Sequence, residues 1–467
     1  MANTLGSPER PLRVAVVGSG PSGFYAIGAL FKSDHEVEVD LFDRLPTPFG
    51  LVRGGVAPDH QKIKNVVRIY DKTAAHEKFR FFGNVKVGRD VSVEELLEHY
   101  DQVVLAVGNE SDRSMGIPGE DLEGVYSATE FVGWYNGHPD FQDRSFGLDR
   151  ATRVGVVGNG NVSMDVTRIL AQSPDDLAET DITDTALEAL RNSSVRDIYI
   201  LGRRGPAQAA FSSKEIREIG ELETATLCVD PEAVDLDELS TSWLETQPRS
   251  SVRNVEYLQE KAGAEPGQGR NVHCKFLVSP VELLGEDGKL RAARIQHNEL
   301  YASDDGTPRP RGTDLHEELE LDLVFKAVGY RGVPIEGVPF HERWGTFHNE
   351  EGRITEGEGG APIPRLYVVG WAKRGPSGLI GTNGPDSQAT VAKMLEDLDA
   401  LADQAAVARG PESIASLLES REVDWVTYKD WQKLDAEEVR RGEAKGKVRE
   451  KFTDVASMMT AIGELRG

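Results

Sequence analysis

Short apolar runs, several of them closed by a glycine-rich turn, recur along the 467-residue chain and determine its predicted secondary structure. The first run, Leu12–Val17, is followed by a glycine-rich turn and then by an apolar stretch over Phe24–Phe31. This succession predicts a strand, a tight turn and a helix, and Val37–Phe42 predicts the next strand. The same pattern returns with strands at Arg153–Val157 and Asp197–Leu201, so the unit is repeated on the scale of a domain.

Further strands are predicted outside these two units. Asp101–Val107 and Arg365–Gly370 are apolar throughout most of their length, which is typical of buried strands. Between about residues 271 and 330 apolar and polar positions alternate, and this alternation predicts antiparallel strands.

The remaining patterns predict helices and loops. A helix is predicted from Asp386 onward, because the apolar residues after it recur at helical spacing. The segments 173–187 and 301–318 are polar and acidic, so we expect loops there. The segment from 403 onward is highly charged and is expected to be mostly helical.

Composition restricts the possible functions. Lys plus Arg is 53 and Asp plus Glu is 78, and the resulting net charge of −25 argues against nucleic acid as the main partner. No stretch approaches the roughly 18 uncharged apolar residues that a membrane span needs, and Met1–Arg10 lacks the apolar region of a signal peptide.

The cysteine content restricts the redox chemistry. The only two cysteines, Cys228 and Cys274, form no C-x-x-C motif. This removes a dithiol redox centre, a cysteine-ligated iron–sulfur cluster and a disulfide framework. We expect a cytoplasmic location, two buried thiols and no metal site.

The first glycine turn has the spacing G-x-G-x-x-G and stands between a strand and a helix. Gly18 makes the tight turn, Gly20 lets the backbone approach a pyrophosphate, and Gly23 lets the helix pack closely on the strand. The helix N-terminus supplies free N–H groups and a partial positive charge to the phosphates. Asp43 ends the second strand, where an acidic residue hydrogen-bonds the ribose hydroxyls. The unit therefore predicts a dinucleotide site.

The second glycine turn differs from the first in its third glycine and in the residues that end the next strand. Ser163 stands where the third glycine is expected, and the next strand ends in Arg203 and Arg204 instead of an acidic residue. Two guanidinium groups at this point suit a 2′-phosphate, which favours NADPH over NADH. Two nucleotide sites in one chain indicate FAD together with a nicotinamide cofactor, with the flavin as relay.

Four longer motifs succeed one another along the chain: Gly50–His60, Gly202–Pro206, Phe211–Glu218 and Val369–Asn383. Together they resemble the signatures of the bacterial, adrenodoxin-reductase-like ferredoxin–NADP(+) reductases. The resemblance runs from about residue 13 to 390 and is loose at 446–451. It implies an FAD domain built from both ends of the chain, an inserted NADP domain, and electron delivery to a small iron–sulfur protein.

The predicted fold class is therefore α/β, with two Rossmann-like dinucleotide-binding domains and the NADP domain inserted into the FAD domain. We expect the FAD domain at 1–110 and 325–467, the second part with a charged helical extension, and the NADP domain at 111–324. The residues expected to bind FAD are Gly18, Gly20, Pro21, Ser22, Gly23, Asp43, Leu51, Val87, Trp371, Gly378, Leu379 and Ile380. Those expected by resemblance to bind NADP(H) are Arg113, Asn159, Gly160, Asn161, Val162, Arg203, Arg204, Glu215 and Gly378.

His60 and Glu215 are the candidate catalytic residues. His60 follows the turn signal Pro58-Asp59, and the resemblance places it at the active site beside Glu215. A His–Glu pair can position the nicotinamide carboxamide or manage a proton on reduction. The alternatives are a helix-capping histidine without a redox role and a solvated glutamate between Lys214 and Arg217.

The leading functional hypothesis is an FAD-containing NADPH:ferredoxin oxidoreductase. A flavin NADPH oxidase or monooxygenase shares both glycine turns but not the 369–383 motif, and a flavin-binding protein without turnover is the third possibility. Ferredoxins are generally acidic and so is this chain, so a docking site must be locally basic. The candidates for this basic patch are Lys214, Arg217, Lys373 and Arg374, and the alternative is a scatter of solvated cations.

Overall fold

The computed structural model describes residues 4–401 and 412–466. Its strands are β1 Leu12–Val17, β2 Val37–Phe42, β3 Phe79–Phe82, β4 Gln102–Leu105, β5 Ser111–Asp112, β6 Val125–Ser127, β7 Arg153–Val157, β8 Asp197–Leu201, β9 Ala225–Val229, β10 Arg270–Lys275, β11 Val278–Glu286, β12 Lys289–Ala302, β13 Pro308–Glu320, β14 Leu323–Lys326, β15 Tyr330–Arg331, β16 Phe340–His341, β17 Thr346–Phe347, β18 Asn349–Glu350, β19 Arg353–Thr355 and β20 Pro362–Val368.

The helices cover both faces of the sheets that these strands form. They are α1 Pro21–Leu30, α2 Leu51–Gly54, α3 Gln61–Lys64, α4 Val67–Ala74, α5 Val93–His99, α6 Ala128–Asn136, α7 Asn161–Ala171, α8 Pro174–Ala178, α9 Asp184–Arg191, α10 Ser213–Gly220, α11 Glu238–Glu245, α12 Arg249–Lys261, α13 Trp371–Arg374, α14 Asn383–Glu396, α15 Leu398–Leu401, α16 Glu412–Ser420, α17 Tyr428–Glu443 and α18 Val455–Arg466. In the part of the chain that the structure describes, no helix is long and apolar enough to cross a membrane.

The first sheet has seven strands in the order β18–β19–β20–β4–β1–β2–β3. The five from β20 to β3 are parallel, and β18 and β19 add an antiparallel edge. Along β1 the side chains alternate between two apolar clusters, with Val14 and Val16 in one and Ala15 and Val17 in the other. Both faces are covered, which is why this strand is a continuous apolar run.

The second sheet has six parallel strands in the order β6–β14–β7–β8–β10–β9. All of them come from residues 125–326, whereas the first sheet takes its strands from residues 12–105 and 349–368. The chain therefore leaves the first sheet, builds the second and returns. This confirms the predicted fold class, an α/β protein with one Rossmann-like unit inserted into another.

Each glycine turn lies where a dinucleotide is expected to bind. The first comes after β1, which stands between β4 and β2, and the second comes after β7, which stands between β14 and β8. Strand order reverses at both places, and ligands of open parallel sheets bind at the carboxyl ends of strands at such reversals.

Two expectations about secondary structure are wrong and a third is right only in part. Segment 173–187 contains α8 and the start of α9, which Ser173 and Thr183 cap through their hydroxyl groups. Segment 301–318 is mostly strand, because β12 and β13 form a long hairpin whose exposed faces remove the apolar alternation. Between 271 and 330 the expected antiparallel strands are found at β11–β13, but β10 and β14 belong to the parallel second sheet.

Candidate functional site

A cavity of about 640 Å³ opens at the carboxyl ends of the first sheet. It is lined by the turn Gly18–Ser22, by Asp43 and Val87, and by Leu51, Trp371 and Ile380. Its volume lies within the range of about 300–1,000 Å³ that is usual for small-molecule and cofactor sites. The structure thus brings together residues that are up to 441 positions apart in the chain, from Val17 to Met458.

The first glycine turn has the backbone geometry that a pyrophosphate site requires. Gly18 has φ +106°, and a Cβ there would lie 2.5 Å from the carbonyl oxygen of Ala106. A Cβ on Gly23 would lie 2.2 Å from the Gly18 carbonyl oxygen, so helix and strand are in close contact. Gly20 faces open space and lines the cavity, followed by Pro21 at the first position of α1. The free N–H groups of α1 point to this end of the cavity.

Asp43 lines the same cavity and also holds the turn in place. Its Oδ2 accepts hydrogen bonds from the backbone N–H and the hydroxyl of Ser19, at 2.9 and 2.5 Å. Its Oδ1 accepts from the backbone N–H of Leu45 at 2.9 Å. One carboxylate therefore joins the end of β2 to the glycine turn, beside the space where the ribose is expected.

One wall of the cavity is aromatic. The rings of Trp371 and Tyr330 lie with their centroids 5.5 Å apart, and both line the cavity with Ile380. Gly378 and Leu379 do not line it, although they directly precede Ile380 in the chain. This aromatic and apolar wall suits a ring system.

Residues of the central part of the chain complete the cavity, and the sequence analysis missed them. Thr129, Val132 and residues 136–141 line one wall, and Met458 of α18 lines another. The first group belongs to α6 and the turn after it, which precede the second glycine turn. No local motif marks them, because their role depends on how the second unit packs against the first.

The second glycine turn comes after β7 and is held by α10. Asn161 accepts a hydrogen bond from the backbone N–H of Ser212 at 2.8 Å, and the carbonyl oxygen of Asn159 accepts from Ala210 at 2.9 Å. A Cβ on Gly160 would meet no atom within 4 Å, so this backbone is also open. Val162 packs against the core of the second sheet.

Arg203 and Arg204 lie just beyond the end of β8. Burial and repulsion by Arg203 lower the pKa of Arg204, so two like charges are held close together. Among the described residues no carboxylate is found within 4.0 Å of either guanidinium. The turn thus presents uncompensated positive charge, which an anion would neutralise.

His60 is buried and caps the short helix α3. Its Nε2 lies 2.8 Å from Oε2 of Glu218, and its Nδ1 lies 3.8 Å from Oδ1 of Asp165. Glu215 is also buried and accepts a hydrogen bond at 2.9 Å from Arg168. The glutamate that pairs with His60 is therefore Glu218 and not Glu215, although both lie in the predicted motif.

Each carboxyl group of this cluster responds to its own surroundings. Burial raises the pKa of Glu215, assisted by repulsion from Asp165. Burial also acts on Glu218, but hydrogen bonds from His60 and Lys214 outweigh it and lower the pKa. One ligand-type atom from each of His60, Glu215 and Glu218 falls within 4.8 Å of the others. We assign no metal to them, because these atoms pair with one another and with Arg168.

Arg113 and two residues of the proposed basic patch form contacts within the protein, whereas the other two patch residues are exposed. Arg113 donates to the backbone carbonyls of Tyr330 and Trp344 at 3.3 and 3.1 Å, outside the cavity. Lys373 pairs with Asp386 at 3.2 Å, and Arg374 donates to Asn383 at 2.7 Å, so both are largely occupied within the protein. The other two patch residues, Lys214 and Arg217, are exposed on α10.

Comparisons with known proteins agree with this arrangement. The family model "Pyridine nucleotide-disulphide oxidoreductase" matches residues 12–198. NADPH-ferredoxin reductase FprA of Mycobacterium tuberculosis is 44% identical over 460 residues, covering 96% of this chain and 99% of the relative. The mitochondrial NADPH:adrenodoxin oxidoreductase of Arabidopsis thaliana is 41% identical over 472 residues, covering 97% and 96%.

The chain belongs to the family of NADPH–ferredoxin and adrenodoxin reductases. A solved structure, "Mycobacterium tuberculosis FprA in complex with NADPH", superposes on it with a TM-score of 0.91 at 42% identity, covering 97% of this chain and all of the other. The resemblance drawn from the four sequence motifs is thus confirmed. Membership of this reductase family also accounts for the nesting of one nucleotide unit inside another.

Proposed function

We propose that this reductase-family member is an FAD-dependent ferredoxin–NADP(+) reductase. It takes hydride from NADPH onto FAD and passes single electrons to a ferredoxin-type iron–sulfur protein. The observation that supports this most directly is the cavity lined by Gly18–Ser22 and Trp371, which combines a phosphate-binding turn with an aromatic wall. Bound FAD supplies the conversion of a two-electron donor into single electrons.

The chain's own groups fit an FAD molecule along this cavity. The open backbone at Gly20 and the N-terminus of α1 suit the pyrophosphate, and Asp43 stands beside the expected ribose. Trp371 and Ile380 suit the ring system, where they exclude water and fix its orientation. We also propose contacts from Ser22, Leu51 and Val87, with Gly378–Ile380 supplying backbone at the ring end.

The second unit is proposed to hold NADPH. The turn Asn159–Val162 would bind the pyrophosphate, and Arg203 and Arg204 would bind the 2′-phosphate. Glu215 and His60 would orient the nicotinamide, with Glu218 holding the His60 imidazole. Arg113 requires a change of partner before it reaches the cofactor, because its guanidinium is bound to two backbone carbonyls.

We propose a docking surface for the acidic iron–sulfur protein on α10 and α12, formed by Lys214, Arg217, Arg249 and Arg253. All four side chains are exposed. The two helices are joined by a hydrogen bond from the Ser213 hydroxyl to the carbonyl oxygen of Ser250 at 3.0 Å. The surface adjoins Glu218 and hence His60, because Lys214 lies 3.1 Å from Glu218. It leaves out Lys373 and Arg374, whose side chains are only 15% and 22% exposed and lie beside Asp386.

The domain boundaries remain part of the proposal, with the FAD domain at 1–110 and 325–467 and the NADP domain at 111–324. The strands of the two sheets support this division, except that β14 of the second sheet runs to Lys326, two residues beyond the boundary at 324. Residues 129–141 would then contribute a wall of the FAD cavity from within the NADP domain. Flavin exchange would consequently depend on how the two domains pack together.

The proposal is tested with the purified holoenzyme under anaerobic conditions. Mixing it with NADPH should bleach the visible absorbance of its flavin, and NADH should do so much more slowly. Small acidic iron–sulfur proteins should then be reduced under steady NADPH. Flavin that stays oxidised with NADPH would refute the reductase. In a parallel assay in air, where O2 is the electron acceptor, hydrogen peroxide as the main product whether or not an iron–sulfur protein is present would favour the oxidase or monooxygenase.

A further inference from the structure

Arg168 has an unusual position for an arginine, because its side chain is only 2% exposed. It lies on α7, the helix that begins at the second glycine turn. Four carboxylates surround its guanidinium: Asp59 at 2.7 and 3.0 Å, Asp165 at 2.8 Å, Glu215 at 2.9 Å and Glu218 at 3.7 Å. Such charge-assisted and partly bidentate bonds fix the position of every group that takes part.

These carboxylates come from both nucleotide units. Asp59 belongs to the loop between α2 and α3, in the part of the chain that forms the first sheet. Glu215 and Glu218 are on α10, and Asp165 is on α7, in the part that forms the second sheet. Arg168 therefore joins the two units directly, next to His60.

Both neighbours of the His60 imidazole are also neighbours of Arg168. Glu218 lies 2.8 Å from Nε2 of His60, and Asp165 lies 3.8 Å from its Nδ1. A shift of the guanidinium would move the groups on both sides of the ring. It would also release Glu215, whose carboxylate accepts a hydrogen bond from Arg168.

The charges explain why a cation is needed at this point. Burial raises the pKa of Asp165 and Glu215. Burial also acts on Asp59, but its hydrogen bonds with Arg168 outweigh this effect and lower its pKa. The other charged or titratable groups that face the cluster are His60, Lys214 and the phenols of Tyr135 and Tyr330. Without Arg168 the buried carboxylates would repel one another.

We propose that Arg168 is a positioning residue for hydride transfer, which holds Glu215, Glu218 and, through Glu218 and Asp165, His60 in place across the junction of the two units. The proposal rests on the NADPH-dependent function proposed above. Arg168 itself acts through these residues and needs no contact with either cofactor. Its effect should therefore fall on the rate of flavin reduction and much less on the affinity for NADPH.

The test uses the holoenzyme and its single-turnover flavin reduction at saturating NADPH. Arg168→Gln should slow reduction by about ten- to a hundredfold, since small misplacements of orienting groups have effects of this size. The Kd for NADPH should change by less than about threefold. Arg168→Lys should recover part of the rate, because it keeps the charge but not the planar fork. The apparent pKa of the pH–rate profile should move upward in Arg168→Gln, as the carboxylates lose their cation.

The matched control is Arg353→Gln, which removes a bidentate pair with Asp397 on the far edge of the first sheet and should leave the reduction rate unchanged. If Arg168→Gln fails to bind FAD, Asp59→Asn is the deciding variant, because it removes only the link to the first unit and should slow reduction by about three- to tenfold. Wild-type rates in a folded Arg168→Gln or in Asp59→Asn would overturn the proposal. Failure of the wild type itself to be reduced by NADPH would refute the proposed function instead.

Discussion

Lys451 Nζ lies 2.9 Å from Oδ2 of Asp181, and this buried pair ties the C-terminal segment to the part of the chain that forms the second sheet. The same carboxylate also accepts bonds from Lys64 at 2.8 Å. Burial lowers the pKa of both lysines, although the attraction of Asp181 opposes this effect. Lys451 donates further to the carbonyl oxygen of Asn136, which lines the flavin cavity. Three distant segments are thus fixed beside the cofactor site.

Removing the shared carboxylate should destabilise the protein strongly. Asp181→Ala leaves two buried ammonium groups without a counter-charge, and breaking a buried pair in this way costs about 3–5 kcal/mol. Lys451→Met should cost clearly less, since it leaves the pair of Lys64 and Asp181 intact. Urea unfolding of both holoproteins, followed by circular dichroism, checks this order. Equal losses of unfolding free energy in the two variants would contradict the inference that both lysines depend on Asp181.

The stability of the fold should depend on pH through His138. This residue lines the flavin cavity, and burial lowers its pKa from 6.5 to about 4, with help from Arg44 and Arg53. In the unfolded chain His138 binds a proton below about pH 6.5, whereas in the folded protein it does so only below about pH 4. Stability should therefore fall as the pH decreases through this window, by up to about 3 kcal/mol from this residue.

His138→Gln should flatten that part of the pH dependence in urea unfolding with excess FAD. His297→Gln, at a half-buried position on β12 outside the cavity, serves as the control and should keep the wild-type slope between pH 6.5 and 4. An unchanged slope in His138→Gln would show that other groups cause the acid sensitivity.

Replacing Arg203 and Arg204 together by Ala should reduce the preference for NADPH. Hydrogen bonds to charged groups contribute about 1.5–3 kcal/mol each, but Arg203 is exposed, so the lower end applies. This corresponds to a loss of about two decades in kcat/KM for NADPH. The loss should appear in KM more than in kcat, because the 2′-phosphate is remote from the transferred hydride. Steady-state kinetics with both nucleotides tests this, and a double variant that still prefers NADPH would place the 2′-phosphate elsewhere.

Charge reversal on the docking surface should slow the reaction with the iron–sulfur protein alone. Arg217→Glu with Arg253→Glu should lower its on-rate at low salt by about tenfold or more and weaken the salt dependence. NADPH turnover with ferricyanide should stay unchanged. Arg440→Glu is the control, since Arg440 is an exposed arginine on α17. Equal losses with both acceptors would argue that the variants damage the site and not the docking.

Local sequence determined much of the secondary structure and several of the candidate binding residues of this protein. Residues close together in the chain define the two glycine turns, the strands around them, Asp43 and the arginine pair. This is so because a strand, a turn and a helix start are local structures. The family resemblance that the longer motifs carry implied the nesting of the two units. Even Asp59 and Glu218 lie inside motifs that the sequence analysis singled out, although their roles were not seen.

The tertiary structure alone decided which of these residues meet. Glu218, and not Glu215, pairs with His60 across 158 positions, and Arg168 reaches Asp59 across 109. Spacing within one helix cannot encode such contacts, because they depend on how two separately wound sheets pack together. The same holds for the cavity wall at 136–141 and for the two lysines that share Asp181. Buried charges need partners, and only the folded chain shows where each partner comes from.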